Sequence, residues 1–202
     1  MEITTLSKEY VNELKTKGEA AIKDVLQPSQ DSKVLRYVLS NLGRLPSNFN
    51  GNSLLPLLKH KQKNIRLLAV KNIGKLSNVE FLDEILAIVK NDDSTEVKRE
   101  AVSSVGRMRN EKAIPELVKI LNDDDPKIVL QAIRALLVFK TREDARRALL
   151  RLKKHPNEII QGVIENEFSN TAKSDKVTAK HPESPDYIKN TVVHGNVLEI
   201  LK

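Results

Sequence analysis

The stretch IRLLAVKNIGKL, residues 65–76, recurs along the chain and decides its fold. It recurs upstream as VLRYVLSNLGRL at residues 34–45, 31 residues earlier. Downstream it recurs as VKREAVSSVGRM at residues 97–108 and as IVLQAIRALLVF at residues 128–139, at successive offsets of 32 and 31 residues. A weaker copy, IIQGVIENEF, occupies residues 159–168. Internal repetition at this period is typical of stacked helical repeats.

A second apolar element precedes each copy. Residues 81–89 and 113–121 carry apolar side chains in one register, at an offset of 32 residues, and residues 54–58 and 145–152 follow it. This spacing predicts helices with a broad apolar face. The sequence therefore predicts an all-α fold, a right-handed superhelix of about five helix pairs.

Turn residues support two helices per repeat. Asp125 and Pro126 suit the start of a second helix, because Asp accepts backbone N–H bonds and Pro tolerates the first helical position. Ser94 and Asp31 occupy the position equivalent to Asp125 and are predicted to cap their helices in the same way.

Residues 64–76 and 125–137 resemble HEAT repeats, in the short form common in prokaryotes. The resemblance covers about residues 18–168 as five repeats, although Leu137 departs from the recurring glycine. It implies a curved scaffold for proteins or nucleic acids and names no activity by itself. The recurring glycines are expected to allow close packing of adjacent helices: Gly43, Gly74 and Gly106.

Composition excludes several classes of protein. Aromatic residues are only 3% of the 202 residues, so the core must consist of Leu, Ile, Val and Ala. The absence of cysteine excludes a disulfide scaffold and a thiolate metal site. No stretch approaches the roughly 20 apolar residues of a membrane span, and the first residues are too charged for a secretory signal. A cytoplasmic protein without a membrane partner is expected.

The pattern stops after residue 168. We predict a solenoid over residues 1–168, a polar linker over residues 169–186, and a short strand-helix start over residues 187–202. Residues 192–202, VVHGNVLEILK, resemble the opening of the catalytic domain of DNA amino-methyltransferases, although Asn196 stands where that family usually has Asp. The resemblance implies a solenoid domain stopped before its active site. The chain alone would then be inactive and hold no cofactor, and its parent protein would bind S-adenosylmethionine.

Other candidate chemistry has simpler interpretations. The four histidines His60, His155, His181 and His194 have no ligand spacing and are expected on the surface or as caps. The acidic runs at residues 92–93 and 123–125 could hint at a cation site, but capping of helix ends explains them better. No catalytic site and no metal site are predicted.

The net charge is +7, from 34 Lys and Arg against 27 Asp and Glu, and the basic residues follow the repeat. Arg44, Lys75 and Arg107 share one repeat position. Equivalent side chains on adjacent helices form a row, which could be a track for phosphates or merely a solvated face. We name the predicted nucleic-acid-binding set the cationic edge: Arg44, Lys71, Lys75, Arg107, Arg109, Arg134 and Lys140.

Two functions stay open at this point. One is a non-catalytic accessory domain of a DNA methyltransferase that contacts the backbone of duplex DNA or a protein partner. The other is a protein–protein scaffold of HEAT type without a nucleic-acid role. Single-stranded nucleic acid is a poorer candidate because few aromatic side chains are available to stack on bases.

Overall fold

The computed structural model describes residues 6–45 and 49–178, with side chains up to residue 169, and every regular element in these ranges is helical. The α-helices are α1 (Lys8–Lys17), α2 (Glu19–Val25), α3 (Ser32–Asn41), α4 (Lys63–Leu76), α5 (Leu82–Asn91), α6 (Thr95–Met108), α7 (Ile114–Ile120), α8 (Pro126–Leu137), α9 (Glu143–Arg151) and α10 (Glu158–Thr178). Short 3-10 helices cover Asn52–Lys59, Val79–Phe81, Glu111–Ala113 and Leu152–Lys154. The predicted all-α class is confirmed.

The chain up to Arg151 forms one compact unit, in which the second helices of successive repeats lie side by side. Helix α4 packs against α3 and α6, and α6 packs against α8. Three of the second helices also contact the first helix of their own repeat: Asn52–Lys59 packs on α4, α5 on α6, and α7 on α8. This is the arrangement of helix pairs that the sequence predicts for an α-solenoid.

Aliphatic side chains at four-residue spacing form the core face of each second helix. A fully buried Ile or Val contributes about 1.5–3 kcal/mol. The clearest examples, with none of their surface exposed, lie in α4 and α6: Ile65, Ala69, Ile73, Val97, Ala101 and Val105.

A ladder of polar side chains connects neighbouring second helices at one repeat position. The buried Asn72 in α4 donates from Nδ2 to the carbonyl oxygen of Leu39 in α3, at 2.9 Å. Ser104 has the equivalent position in α6, and its hydroxyl lies 3.2 Å from the carbonyl oxygen of Val70 in α4. Each side chain also reaches a carbonyl in its own helix, so the Asn72 amide nitrogen and the Ser104 hydroxyl are paired. Oδ1 of Asn72 is buried and has no partner among the described residues.

Two of the three recurring glycines provide close packing. A Cβ atom at Gly74 would lie 2.7 Å from Cβ of Ser104, and one at Gly106 would lie 3.1 Å from Cα of Ala135. The prediction is wrong for Gly43, where a Cβ would meet only a backbone oxygen at 3.8 Å. Gly43 has φ +61°, so its role is to end α3 in a left-handed conformation that glycine adopts easily.

The predicted caps are confirmed at two of three positions. Asp31 accepts from the backbone N–H of Lys33 at 2.7 Å, and Asp125 accepts from that of Lys127 at 2.8 Å. The prediction is wrong for the side chain of Ser94. Its hydroxyl donates to the carboxylate of Glu96 at 2.7 Å and leaves the helix N–H groups alone.

The two described histidines accept backbone hydrogen bonds in the turns that precede α4 and α10. Nδ1 of His60 accepts from the backbone N–H of Gln62, and Nδ1 of His155 accepts from that of Asn157, both at 3.0 Å. His60 is only 6% exposed, so the expected surface position is wrong for this residue. The other two histidines lie outside the described residues.

The first two repeats depart from regular helix pairs. The first helix of the second repeat is a 3-10 helix with Pro56 inside it, and proline lacks the N–H group that an α-helical turn would use. Near the amino terminus, Gly18 with φ +90° separates α1 from α2.

A second unit begins at Leu152. Its 3-10 helix Leu152–Lys154 packs against α10, which continues to Thr178 and so enters the segment predicted as a linker. The rest of that segment, and the strand and helix start predicted over residues 187–202, lie outside the described residues.

Candidate functional site

The residues of the cationic edge lie at or near the carboxyl-terminal ends of the second helices. Lys75 and Arg107 occupy the last turns of α4 and α6, and Lys71 and Arg134 lie on α4 and α8 near their carboxyl-terminal ends. The remaining three follow directly after a second helix: Arg44, Arg109 and Lys140. The repeat register therefore carries these cations to one end of the helix stack.

One member of the edge is neutralised by an acid. The Arg107 guanidinium donates to the carboxylate of Glu100 at 2.6 Å and to the hydroxyls of Ser103 and Ser104, at 2.9 and 2.8 Å. It connects two turns of its own helix and is half-buried there. Its charge is largely compensated before any ligand arrives.

Five other members form no ion pair with a carboxylate of residues 6–45 or 49–169. Arg134 has only a 3.4 Å contact with the neutral side chain of Gln131. The other four are exposed and have no side-chain partner in those ranges: Arg44, Lys71, Lys75 and Arg109. Lys140 does not belong to this unpaired group. We call these five residues the unpaired cations.

Cations from two repeats act on the Lys75 ammonium. Burial lowers the pKa of the Lys75 ammonium, and the positive charges of Lys71 and Arg107 lower it further. Glu100 offsets only part of this effect. The pKa of Lys75 therefore responds to cations of both α4 and α6.

Two open grooves lie along the edge. The first, which we call the α3–α4 groove, has a volume of about 580 Å³ and is lined by Arg44 and Lys75. The second, the α6–α8 groove, has a volume of about 410 Å³ and is lined by Arg107, Arg109 and Arg134. Neither groove has an acidic residue in its lining. The structure therefore brings five of the seven predicted residues together in two groups.

Acidic residues gather at the opposite ends of the second helices. Asp92, Asp93 and Glu96 lie around the start of α6, and residues 123–125 precede α8. Hydrogen bonds from Ser94 and from its own backbone N–H, together with Lys63, lower the pKa of Glu96 to about 2. Acids at helix starts and cations at helix ends both complement the helix dipole. Helix stability is thus one reason why acids and cations lie at opposite helix ends, but helix stability does not require that the cations line a groove.

An ion-pair cluster that the sequence analysis missed connects the second and third repeats. Arg66 on α4 donates from Nε and Nη2 to both carboxylate oxygens of Asp92, at 2.7 and 2.9 Å, and also to Asp93. Its Nη1 donates to the carbonyl oxygen of His60 at 2.9 Å. Asp92 is 2% exposed and the arginine 12%.

The pKa of Asp92 reflects this cluster. Burial by itself raises the pKa of the carboxyl, but the hydrogen bonds from Arg66 and from the Ser94 backbone outweigh burial. The pKa therefore lies below its ordinary value, and the carboxylate stays charged. Leu35, Lys98 and Val129 stand at the position of Arg66 in other repeats, so no periodic signal could have identified this residue.

The described side chains contain no group of three His, Asp or Glu residues placed to share a metal ion. Of the helices within residues 6–45 and 49–178, none is long and apolar enough to cross a membrane.

Comparisons with known proteins agree with a repeat fold. Residues 82–166 match the family of HEAT repeats. The chain is also similar to the crystal structure of an engineered protein from the Northeast Structural Genomics Consortium, with a TM-score of 0.53 and 18% identity. That similarity covers 83% of this chain and 85% of the other, and at this identity it concerns the fold alone. No curated protein matches the chain in sequence. Together these findings support a HEAT-like helical repeat.

Proposed function

We propose that this chain is a non-catalytic binding scaffold whose cationic edge holds the phosphate backbone of duplex DNA. The observation that carries the proposal is the set of unpaired cations, which lie at one end of the helix stack. Some other cations of the fold have acidic partners, as in the pairs Lys63–Glu96 and Lys90–Glu116. The unpaired cations of the edge differ from other unpaired lysines in that they share one end of the helix stack. Cations without internal partners are available to an external polyanion.

The physical chemistry of the edge favours a duplex backbone over other nucleic-acid features. Lys and Arg side chains that neutralise phosphates release condensed counterions, and this release supplies most of non-specific affinity. Stacking on single-stranded bases needs aromatic side chains, which are only 3% of the sequence. Contacts at the backbone do not read base identity, so we expect binding without sequence preference.

The finer proposal, an accessory domain of a DNA methyltransferase, depends on the resemblance of residues 192–202. In that case a downstream catalytic domain would hold S-adenosylmethionine, and this chain would hold no cofactor. Determining the reading frame beyond Lys202 tests this directly. A Pro-Pro-Tyr catalytic loop encoded downstream supports the proposal of an accessory methyltransferase domain. The absence of such a loop overturns that proposal.

A protein-interaction scaffold is the second candidate, and the match of residues 82–166 to HEAT repeats favours it. Stacked helical repeats present extended surfaces that bind other proteins. On this alternative the chain forms a complex with a protein partner and does not bind DNA.

Fluorescence anisotropy with a random-sequence duplex of about 25 base pairs tests the proposal across salt concentrations of roughly 50 to 200 mM. We expect the logarithm of the association constant to fall linearly with the logarithm of salt. Changing the five unpaired cations to Gln should reduce the steepness of that dependence by up to about 4.5, at roughly 0.9 per lost phosphate contact.

A matched control removes the same charge elsewhere. Five exposed lysines away from the edge have no ion pair among the described residues, and changing them to Gln should leave most of the affinity: Lys23, Lys33, Lys59, Lys61 and Lys127. No binding by the native chain at low salt would overturn the proposal. Equal loss in both variants would show a general charge effect and overturn the assignment to the edge.

A further inference from the structure

The α6–α8 groove differs from the rest of the edge in its chemistry. Its cations are all arginines, Arg107, Arg109 and Arg134, whereas the α3–α4 groove pairs Arg44 with Lys75. A guanidinium group presents a planar fork of donors that matches two phosphate oxygens at once, and an ammonium group acts as a point charge. The α6–α8 groove is therefore the place where a phosphodiester group can be held in a defined orientation.

Two of the three arginines supply the net charge of this groove. Arg107 is committed to Glu100 and to two serine hydroxyls. Arg109 and Arg134 have no carboxylate partner among the described side chains. Val138, which is 43% exposed, lines the same groove and provides apolar surface for a sugar ring.

The backbone of Arg109 gives an independent reason to assign it a binding role. Within the described ranges, only two residues other than glycine have a left-handed backbone, Ser77 with φ +53° and Arg109 with φ +50°. Both line the α6–α8 groove, and they share one repeat position. The left-handed conformation costs an L-residue roughly 1–2 kcal/mol. Glycine would serve the fold better at this position, so folding alone does not explain an arginine there.

We infer that the α6–α8 groove is the principal phosphodiester site of the cationic edge, with Arg109 and Arg134 as its ligand-binding residues. The inference rests on the proposed function, because it names the part of the edge that holds the DNA backbone most tightly. On this inference the cations of the edge contribute unequally to duplex affinity, whereas the cations of a diffuse positive surface would contribute about equally.

The test measures duplex affinity and thermal stability on the same variants of the full chain. Arg109→Gln and Arg134→Gln should each weaken binding to the duplex of about 25 base pairs by about tenfold or more, the effect of losing one charge-assisted hydrogen bond. Each should also reduce the salt dependence by about 0.9. Arg44→Gln and Lys71→Gln, on the same edge, should weaken binding by only about twofold.

Glycine variants separate binding from folding. Arg109→Gly should weaken binding as much as Arg109→Gln and should raise the melting temperature by about 2–4 °C, because it relieves the left-handed backbone. Ser77→Gly is the matched control at the same repeat position. It should raise the melting temperature similarly, and it removes no charge from the groove.

The outcomes distinguish the two levels of the argument. If the native chain does not bind the duplex, both the proposed function and the inference are wrong. A native chain that binds, while Arg109→Gln and Arg134→Gln lose no more affinity than Arg44→Gln and Lys71→Gln, overturns the inference and leaves the proposed function standing. A lower melting temperature for Arg109→Gly would show that the arginine serves the fold, which also overturns the inference.

Discussion

Replacement of Gly74 by Ala tests how the second helices of neighbouring repeats approach one another. The new Cβ would lie 2.7 Å from Cβ of Ser104 and 2.6 Å from Nη2 of Arg107. Real Cβ atoms do not come this close to other atoms, so α4 and α6 must move apart or Ser104 must change its position. The variant therefore measures the tightness of the contact between two repeats.

The magnitude follows from three contributions. Overpacking of a well-packed contact costs about 1–3 kcal/mol. A displaced Ser104 hydroxyl loses its bond to the Val70 carbonyl, which costs about another 1 kcal/mol. The higher helix propensity of alanine returns about 1 kcal/mol. We expect a net loss of about 1–3 kcal/mol in the free energy of unfolding.

The assay is urea unfolding followed by far-ultraviolet circular dichroism. Gly162→Ala is the matched control, since a Cβ at this helical glycine would have nothing within 4 Å, and the variant should gain up to about 1 kcal/mol. The double variant Gly74→Ala/Ser104→Gly removes the obstructing side chain and should recover about 1–2 kcal/mol relative to additive single effects. If Gly74→Ala is as stable as Gly162→Ala, or if the double-mutant cycle shows no coupling, the close-packing argument is refuted.

The remaining predictions concern charged groups. Asp92→Asn should lower the free energy of unfolding by about 2–3 kcal/mol, because it weakens the buried pair with Arg66. Glu96→Gln, at an exposed carboxylate, should change the free energy of unfolding little. Denaturant unfolding of both variants checks this. The folded pKa of Asp92 is lowered, so its stabilisation is complete above the unfolded pKa of about 3.9 and is lost as pH falls through the folded pKa. In a pH series, the native chain should therefore lose more stability below about pH 4 than Asp92→Asn does. Asp125→Ala should cost about 0.5–2 kcal/mol through loss of the α8 cap, and retention of full stability would contradict the capping role. Lys75→Gln should raise the unfolding midpoint slightly by relieving repulsion while it weakens duplex binding; a fall in both quantities would indicate a structural role.

The repeat period made the fold predictable from sequence. Apolar spacing and a recurrence of 31–32 residues are local properties, and they identify helices and pair them without knowledge of distances. The caps Asp31 and Asp125 and the close-packing glycines Gly74 and Gly106 were predictable for the same reason. Gly43 misled the prediction because a glycine can serve packing or a left-handed turn, and only its backbone angle distinguishes the two.

Sequence periodicity also gathered the basic residues at one end of the second helices, because residues at one repeat position lie on equivalent parts of equivalent helices. The sequence could not tell which of them have partners. Arg107 is neutralised by Glu100, seven residues earlier on the same helix, whereas Arg109, two residues later, is unpaired. The direction and length of each side chain decide whether it reaches an acidic partner, and the direction depends on where each helix ends.

Contacts between repeats could be found only in the tertiary structure. The Arg66 cluster joins residues 26 and 27 positions apart, and the Asn72 and Ser104 bonds reach 33 and 34 residues back to the preceding second helix. Neither contact recurs throughout the chain, so repetition does not reveal it. The sequence by itself determined the class of fold and the placement of the cations. The tertiary structure decided which charges are compensated, since compensation depends on distances of a few ångströms between side chains, both within one helix and between repeats.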